Sequence, residues 1–173
     1  MRSDARANRD RVLAAAEEVF AESGDAGSTE EVARRAGVGI GTVFRHFPTK
    51  RALVEAAVVR HLTRLAETAR SRGGEAGPAF RETFRAMVSG APAKVALVAL
   101  LEEHTGEVAA AATAVREAVR DLLTAAQQAG EVRADATVDE IYVLFDALAR
   151  ARGEQAVVDR AVDVVLDGLS PRG

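Results

Sequence analysis

The sequence contains no cysteine and no tryptophan, and it has only six phenylalanines and one tyrosine among 173 residues. The absence of cysteine excludes disulfide bonds, thiolate metal sites and cysteine nucleophiles, and it fits the reducing cytoplasm, which is the predicted location. No apolar run approaches the length of a membrane span, and residues 1–10 carry charges instead of the apolar stretch of a signal peptide. We therefore expect neither a membrane protein nor an exported one.

The composition is that of a globular protein with a hydrophobic core, since 48% of the residues are hydrophobic and 28% are charged. The formal net charge is −3, but the charges are unevenly distributed. Residues 1–70 carry 12 basic and 10 acidic side chains, whereas residues 71–173 carry 11 basic and 16 acidic ones. A mildly basic first part followed by an acidic second part is expected when one end of a protein contacts phosphates.

The hydrophobic periodicity is helical throughout, and no alternating run is long enough for a sheet, so the sequence predicts an all-α protein of about nine helices. A helix-stop signal at Pro48 and a glycine-rich break over Arg72–Pro78 divide the chain. The predicted segments are residues 1–48, a long connecting helix over 49–71, and a helical part over 72–173. No internal repeat is present.

Two short predicted helices meet at a glycine turn. The first begins after a cap at Ser28 or Thr29 and ends at Gly37. The second covers about Ile40–His46, because the residue before Pro48 is disfavoured in a helix. Two short helices joined by a four-residue turn are typical of a helix-turn-helix, in which the second helix enters the major groove of DNA.

The outward residues of the second short helix are the predicted base-reading group: Ile40, Gly41, Thr42 and Arg45. Glycine and threonine are small enough for the helix backbone to approach the bases. Arg45 can donate to O6 and N7 of guanine, and either Thr42 or Ile40 could contact a thymine methyl group. His46, Lys50 and the start of the first short helix are suited to phosphate. For Arg34 and Arg35, phosphate contact and an ordinary solvated face are both open.

The stretch Thr29–Leu53, TEEVARRAGVGIGTVFRHFPTKRAL, resembles the DNA-binding domain of the TetR family of bacterial transcriptional regulators. The resemblance covers residues 9–65, and the chain length, helix count and closing VVLDGLSPRG are also similar. It implies a homodimer of nine-helix subunits whose helices 1 to 3 bind an operator. It also implies a core that binds a small-molecule ligand, and a four-helix bundle in which helices 8 and 9 pair with their mates. Residues 1–48 would then be the helix-turn-helix domain, and residues 72–173 the ligand-binding and dimerisation domain.

Residue by residue, the resemblance implies a phosphate-touching cap at Thr29, recognition-helix contacts at Thr42, Arg45 and His46, and a phosphate contact at Lys50. The sequence departs from the family pattern at three positions. Gly39 occurs where a serine cap is usual, Phe44 where a tyrosine often donates its hydroxyl group to phosphate, and Asp25 where an apolar residue commonly packs.

A second group of side chains could either line a ligand cavity or fill the core. Its members are apolar residues, aromatic residues and histidines. The candidates are His61, Phe80, Phe84, Met87, Leu101, His104, Tyr142 and Phe145. His61 lies in the apolar stripe of the connecting helix, where a core histidine is the simpler interpretation. His104 has no partners at metal-ligand spacing, so we expect no metal site.

The sequence therefore predicts a DNA-binding transcriptional regulator, namely a repressor that a small-molecule ligand releases from a palindromic operator. No cofactor and no enzymatic activity are expected, because the chain has no G-x-S-x-G, no H-E-x-x-H and no phosphate-cradling glycine loop. Two alternatives stay open at this point. One is a ligand-independent architectural DNA-binding protein, and the other is an all-α enzyme that binds a small molecule in the C-terminal part.

Overall fold

The computed structural model describes residues 2–71, 75–89, 106–151 and 153–171. Within these ranges the backbone forms eight α-helices, one short 3₁₀ helix (Gly24–Ala26) and no β-strand, so the predicted all-α fold is confirmed. The helices are α1 (Arg2–Ser23), α2 (Thr29–Ala36), α3 (Ile40–His46), α4 (Lys50–Ser71), α5 (Ala76–Ser89), α6 (Gly106–Gln128), α7 (Val138–Ala149) and α8 (Gln155–Gly168). One of the nine predicted helices, the sixth, covers about residues 95–101 and lies outside the described residues, as does His104. Helices α7 and α8 are therefore numbers 8 and 9 of the predicted nine.

The described residues divide into two compact units. The first contains residues 2–62 and 106–111, and the second contains residues 63–71, 75–89, 112–151 and 153–171. The division falls within α4, after Leu62. None of the described helices combines the length and the apolar character needed to cross a membrane.

The core of the first unit is built on α1, which contacts both α2 and α3. Its apolar stripe follows the helical period, and the side chains of Val12, Ala16, Val19 and Phe20 are completely or almost completely buried. The short helices and α4 cover this stripe with further buried side chains, namely Val32, Ala33, Ala36, Val43, Leu53, Val54, Ala57 and Val58.

The helix ends of the first unit follow local signals. Oγ of Ser28 accepts a hydrogen bond from the Glu31 N–H at 3.1 Å, so Ser28 is the cap of α2. Thr29 is the first residue of that helix, and its implied role as the cap is therefore wrong. Oγ1 of Thr49 accepts from the Ala52 N–H at 3.0 Å, so Thr49 caps α4.

The second unit contains α5, which contacts α7 and α8. Its buried side chains include Phe80, Phe84, Met87, Val119, Leu123, Ile141, Phe145, Val162 and Leu166. Helix α7 begins with a capping box: Thr137 Oγ1 accepts from the Glu140 N–H at 3.2 Å, and the Thr137 N–H donates to the Glu140 carboxylate at 2.7 Å. Thr137 is therefore the cap of α7.

The predicted break over Arg72–Pro78 is wrong at its end, because α5 already begins at Ala76. Pro78 is the third residue of that helix. A proline in the first helical turn removes only an N–H that has no partner within the helix, so it does not prevent the helix from starting there.

Candidate nucleic-acid interface

The turn between α2 and α3 depends on Gly37, whose φ of 66° lies in the left-handed region that favours glycine. The Val38 N–H donates to the Ala33 carbonyl at 3.1 Å, which closes the end of α2. Gly39 is extended and provides no side-chain cap for α3, as its departure from the family pattern implies. The side chain of Asp25, another departure, lies outside what the structure describes.

Helix α3 packs against the core of the first unit on one side and is exposed to solvent on the other. Val43 is completely buried, and Phe47 directly after the helix is almost completely buried. Ile40, Gly41, Phe44 and Arg45 are exposed, and Thr42 and His46 are partly exposed. Arg45 has no hydrogen bond or ion pair with any other residue in the described ranges. Its guanidinium group therefore projects from the surface without an intramolecular partner there.

Successive residues of an α-helix are rotated by about 100°, which fixes the order of side chains around α3. Relative to buried Val43, Gly41 and Arg45 lie on the line farthest from the core. Ile40 and Phe44 form an apolar flank on one side of that line, and Thr42 and His46 form a polar flank on the other side.

Arg34 and Arg35 are engaged by acidic neighbours. Arg34 donates two hydrogen bonds to the Glu31 carboxylate, at 2.8 and 2.6 Å. Arg35 donates to Glu31 at 2.9 Å and to both carboxylate oxygens of Glu22, at 2.9 and 2.6 Å. Arg35 therefore ties α2 to α1, which supports a structural role for this pair.

These hydrogen bonds from Arg34 and Arg35 lower the pKa of Glu31 from its ordinary value of 4.5 to about 2. A lowered carboxylate pKa adds stability that is present above pH 4.5 and is lost as the pH falls towards 2. We therefore expect Glu31→Gln to flatten the decline in melting temperature between pH 4.5 and 2, measured by circular dichroism. Glu30→Gln is the matched control and should keep the wild-type slope; equal slopes for wild type and Glu31→Gln would contradict the prediction.

Two further cationic side chains, Lys50 and Arg9, pack against aromatic rings of the first unit. Lys50 Nζ lies 5.7 Å from the centre of the Phe20 ring, and the Arg9 guanidinium lies 5.4 Å from the centre of the Phe47 ring. The His46 imidazole is 6.2 Å from the Phe47 ring. Sequence reasoning missed Arg9, whose place beside Phe47 depends on how α1 packs and has no signal in the helix-turn-helix motif.

The ligand-pocket candidates fall in different units. His61 belongs to the first unit, where its Nδ1 lies 3.7 Å from Oε2 of Glu17; Glu17 also accepts from Arg60 at 2.6 Å. In the second unit Phe80, Phe84, Met87 and Phe145 are buried core residues. Leu101 and His104 lie outside the described residues. Four of these candidates are therefore buried in the second unit, whereas His61 belongs to the first.

Two hydroxyl groups of the second unit are buried without a hydrogen-bond partner in the part of the chain that the structure describes: those of Thr83 and Tyr142. Burial raises the pKa of the Tyr142 phenol, and the Arg116 guanidinium lies 4.8 Å from its ring centre. No group of three or more His, Asp or Glu side chains within the described ranges could hold a metal ion.

A groove of about 650 Å³ runs between α7 and α8 on the second unit. Val143 and Val164, which are 69% and 67% exposed, lie in its lining with the partly buried Leu144 and Val165. Charged side chains of Arg133, Asp135, Asp139 and Glu140 border it. Large hydrophobic side chains this exposed are typical of a surface that another molecule covers.

The all-α fold and the arrangement of α2 and α3 define a helix-turn-helix protein. Residues 12–57 match the family described as bacterial regulatory proteins, tetR family, and residues 75–171 match the C-terminal domain described as transcriptional regulator SbtR-like. The chain therefore belongs to the TetR family of bacterial transcriptional regulators.

Solved structures agree with this assignment. A TetR transcriptional regulator from Streptomyces coelicolor is 32% identical over 95% of this chain and 99% of its own, with a TM-score of 0.84. A TetR transcription regulatory protein from Mycobacterium vanbaalenii is 39% identical over 98% of both chains, with a TM-score of 0.83. None of the curated protein sequences matches this chain.

Proposed function

We propose that the protein is a transcriptional repressor that binds a palindromic operator as a homodimer and is released by a small-molecule ligand. The observation that carries the proposal is the outer line of α3, where Arg45 is exposed without an ion pair to another described residue and Gly41 leaves the backbone open. In this proposal residues 1–48 form the DNA-binding domain, residues 49–71 the connecting helix, and residues 72–173 the ligand-binding and dimerisation domain.

The division of labour on DNA follows from side-chain chemistry. Arg45 reads guanine, while Thr42 and Ile40 contact neighbouring bases and Gly41 permits close approach. Thr29 at the start of α2, His46 and Lys50 contact phosphates, which position the helix without reading sequence. Arg9 adds a further cationic group beside Phe47, directly after α3.

Homodimerisation through α7 and α8 is supported by the groove with its exposed valines. A single seven-residue recognition helix reads too few base pairs to select one operator among the competing sites of a genome. Two copies related by a two-fold axis double the sequence read, with half-sites about 34 to 36 Å apart or a multiple of that distance.

Ligand control is supported by the hydroxyls of Thr83 and Tyr142, which are buried without a hydrogen-bond partner among the described residues. A buried polar group without a partner costs about 1 to 3 kcal/mol, and a polar ligand atom would remove that cost. A ligand that binds one conformation of the core more tightly shifts the population towards it. If the distance between the two recognition helices of the dimer no longer matches the spacing of successive major grooves in that conformation, operator affinity falls.

Arg45→Ala tests the proposal. We expect the variant to lose preference for one base pair per half-site and to bind the operator about 1 to 3 kcal/mol more weakly, because a guanine contact is lost. Binding is measured by gel-shift titration on a duplex from the region upstream of the protein's own gene, and on duplexes substituted at each position. Small metabolites added to the preformed complex test the release step.

Lys50→Ala is the matched control. It removes one positive charge as Arg45→Ala does, but it should weaken all sequences equally and reduce the salt dependence of binding. Unchanged base preference in Arg45→Ala would show that α3 does not read the operator through this side chain. Salt-sensitive binding without any sequence preference would favour an architectural protein, and turnover of a metabolite without DNA binding would favour an enzyme.

A further inference from the structure

The recognition helix carries an apolar patch that phosphate binding does not explain. Ile40 and Phe44 are 37% and 44% exposed, and they are the large hydrophobic side chains left exposed among the described residues of the first unit. They lie one turn apart, so their side chains share the apolar flank of α3. An exposed aromatic ring beside a second apolar side chain is costly in water and is typical of a contact surface.

Phe44 has no polar atom beyond its backbone, so its ring can neither donate a hydrogen bond to phosphate nor pair with a base edge. Only an apolar surface can remove its ring from water favourably. In the major groove of DNA the apolar group presented by a base pair is the C5-methyl group of thymine. The cationic side chains near the patch, Arg45 on α3 itself and Arg9 beside Phe47, favour a polyanion over an apolar protein partner.

From this geometry we infer that Phe44 and Ile40 each read a thymine methyl group beside the base pair that Arg45 contacts. The inference rests on the proposed DNA binding of α3 and names what its apolar flank recognises. Around the helix axis, Phe44 is rotated by about 100° from Arg45, and Ile40 lies on the same side as Phe44. The half-site therefore combines a guanine with adjacent thymines on the side of the groove that the flank faces.

The test uses the full chain and an operator selected from random duplex DNA. Each thymine is replaced in turn by deoxyuridine, which keeps the base pairing and removes only the methyl group. At two positions per half-site we expect about fourfold weaker binding, the factor that corresponds to one buried methyl group. Phe44→Ala should bind thymine and uracil equally at one of these positions, and Ile40→Ala should do so at the other.

Phe44→Tyr is the control, because it keeps the ring and should keep the preference for thymine over uracil. Since Phe44 is exposed, both Phe44 variants should retain the melting temperature of the wild type. Equal binding of every uracil-substituted operator would overturn the inference while operator binding itself stood. A change in the molar mass of the DNA-free protein in Phe44→Ala would also overturn it, since the patch would then be a protein contact. If selection yields no preferred duplex, the proposed function fails, and the inference fails with it.

Discussion

Replacement of both Val143 and Val164 by glutamate is expected to make the protein monomeric and to reduce operator binding to the nonspecific level, roughly 10³-fold weaker or more. Both valines are largely exposed in the groove between α7 and α8. In the proposed dimer each glutamate would be buried at the interface between the subunits. The cationic side chain in the groove lining, Arg133, is already paired with Asp135. Burying further carboxylates there costs several kcal/mol, which exceeds what two valine contacts supply.

The measurement combines sedimentation velocity with gel-shift titration on the operator. Ala112→Glu with Ala129→Glu is the matched control, because both alanines are exposed, both lie in the second unit outside the groove lining, and the change in charge is the same. The control should stay dimeric and bind the operator. A dimeric Val143→Glu, Val164→Glu variant with full operator affinity would show that the subunits pair through another surface.

Local signals predicted the helix-turn-helix well, because its boundaries are set within a few residues. Gly37 ends α2 through a left-handed backbone, and Pro48 stops α3. The error at the cap of α2 arose because two neighbouring residues have similar side-chain chemistry. Ser28 and Thr29 can both cap a helix, and only the backbone direction at Ser28 decides between them.

Features that depend on contacts between helices had no signal in the sequence. Gly27 has an ordinary extended backbone, yet a methyl group at its position would lie 2.7 Å from Cδ1 of Phe20. The glycine at this position is therefore required by its close contact with the Phe20 ring, and not by its backbone conformation. The ion pair between Arg35 and Glu22 likewise joins residues of different helices. The exposure of Phe44 likewise depends on how α3 packs. Because Val43 faces the core, the ring of Phe44 lies on the surface, where DNA could contact it.

Phe20→Ala is expected to destabilise the first unit by about 3 to 5 kcal/mol, the usual cost of removing a buried phenylalanine ring. Phe20 is completely buried, Gly27 packs against its ring, and Lys50 lies over its face. The cavity would thus open beneath the residues that hold α1 against the turn before α2. Because the chain has two compact units, a single denaturation midpoint need not report this loss.

Hydrogen exchange of the α1, α2 and α3 amides measures the stability of the first unit directly. We expect exchange of these amides to be faster in Phe20→Ala by the factor that 3 to 5 kcal/mol corresponds to, roughly 10² to 10³ or more. Phe84→Ala is the matched control, since it removes an equally buried ring from the second unit. It should leave the exchange of α2 and α3 near the wild-type rate. If both variants accelerated exchange equally in α2 and α3, the two units would unfold together, and their separate stabilities would have no physical meaning.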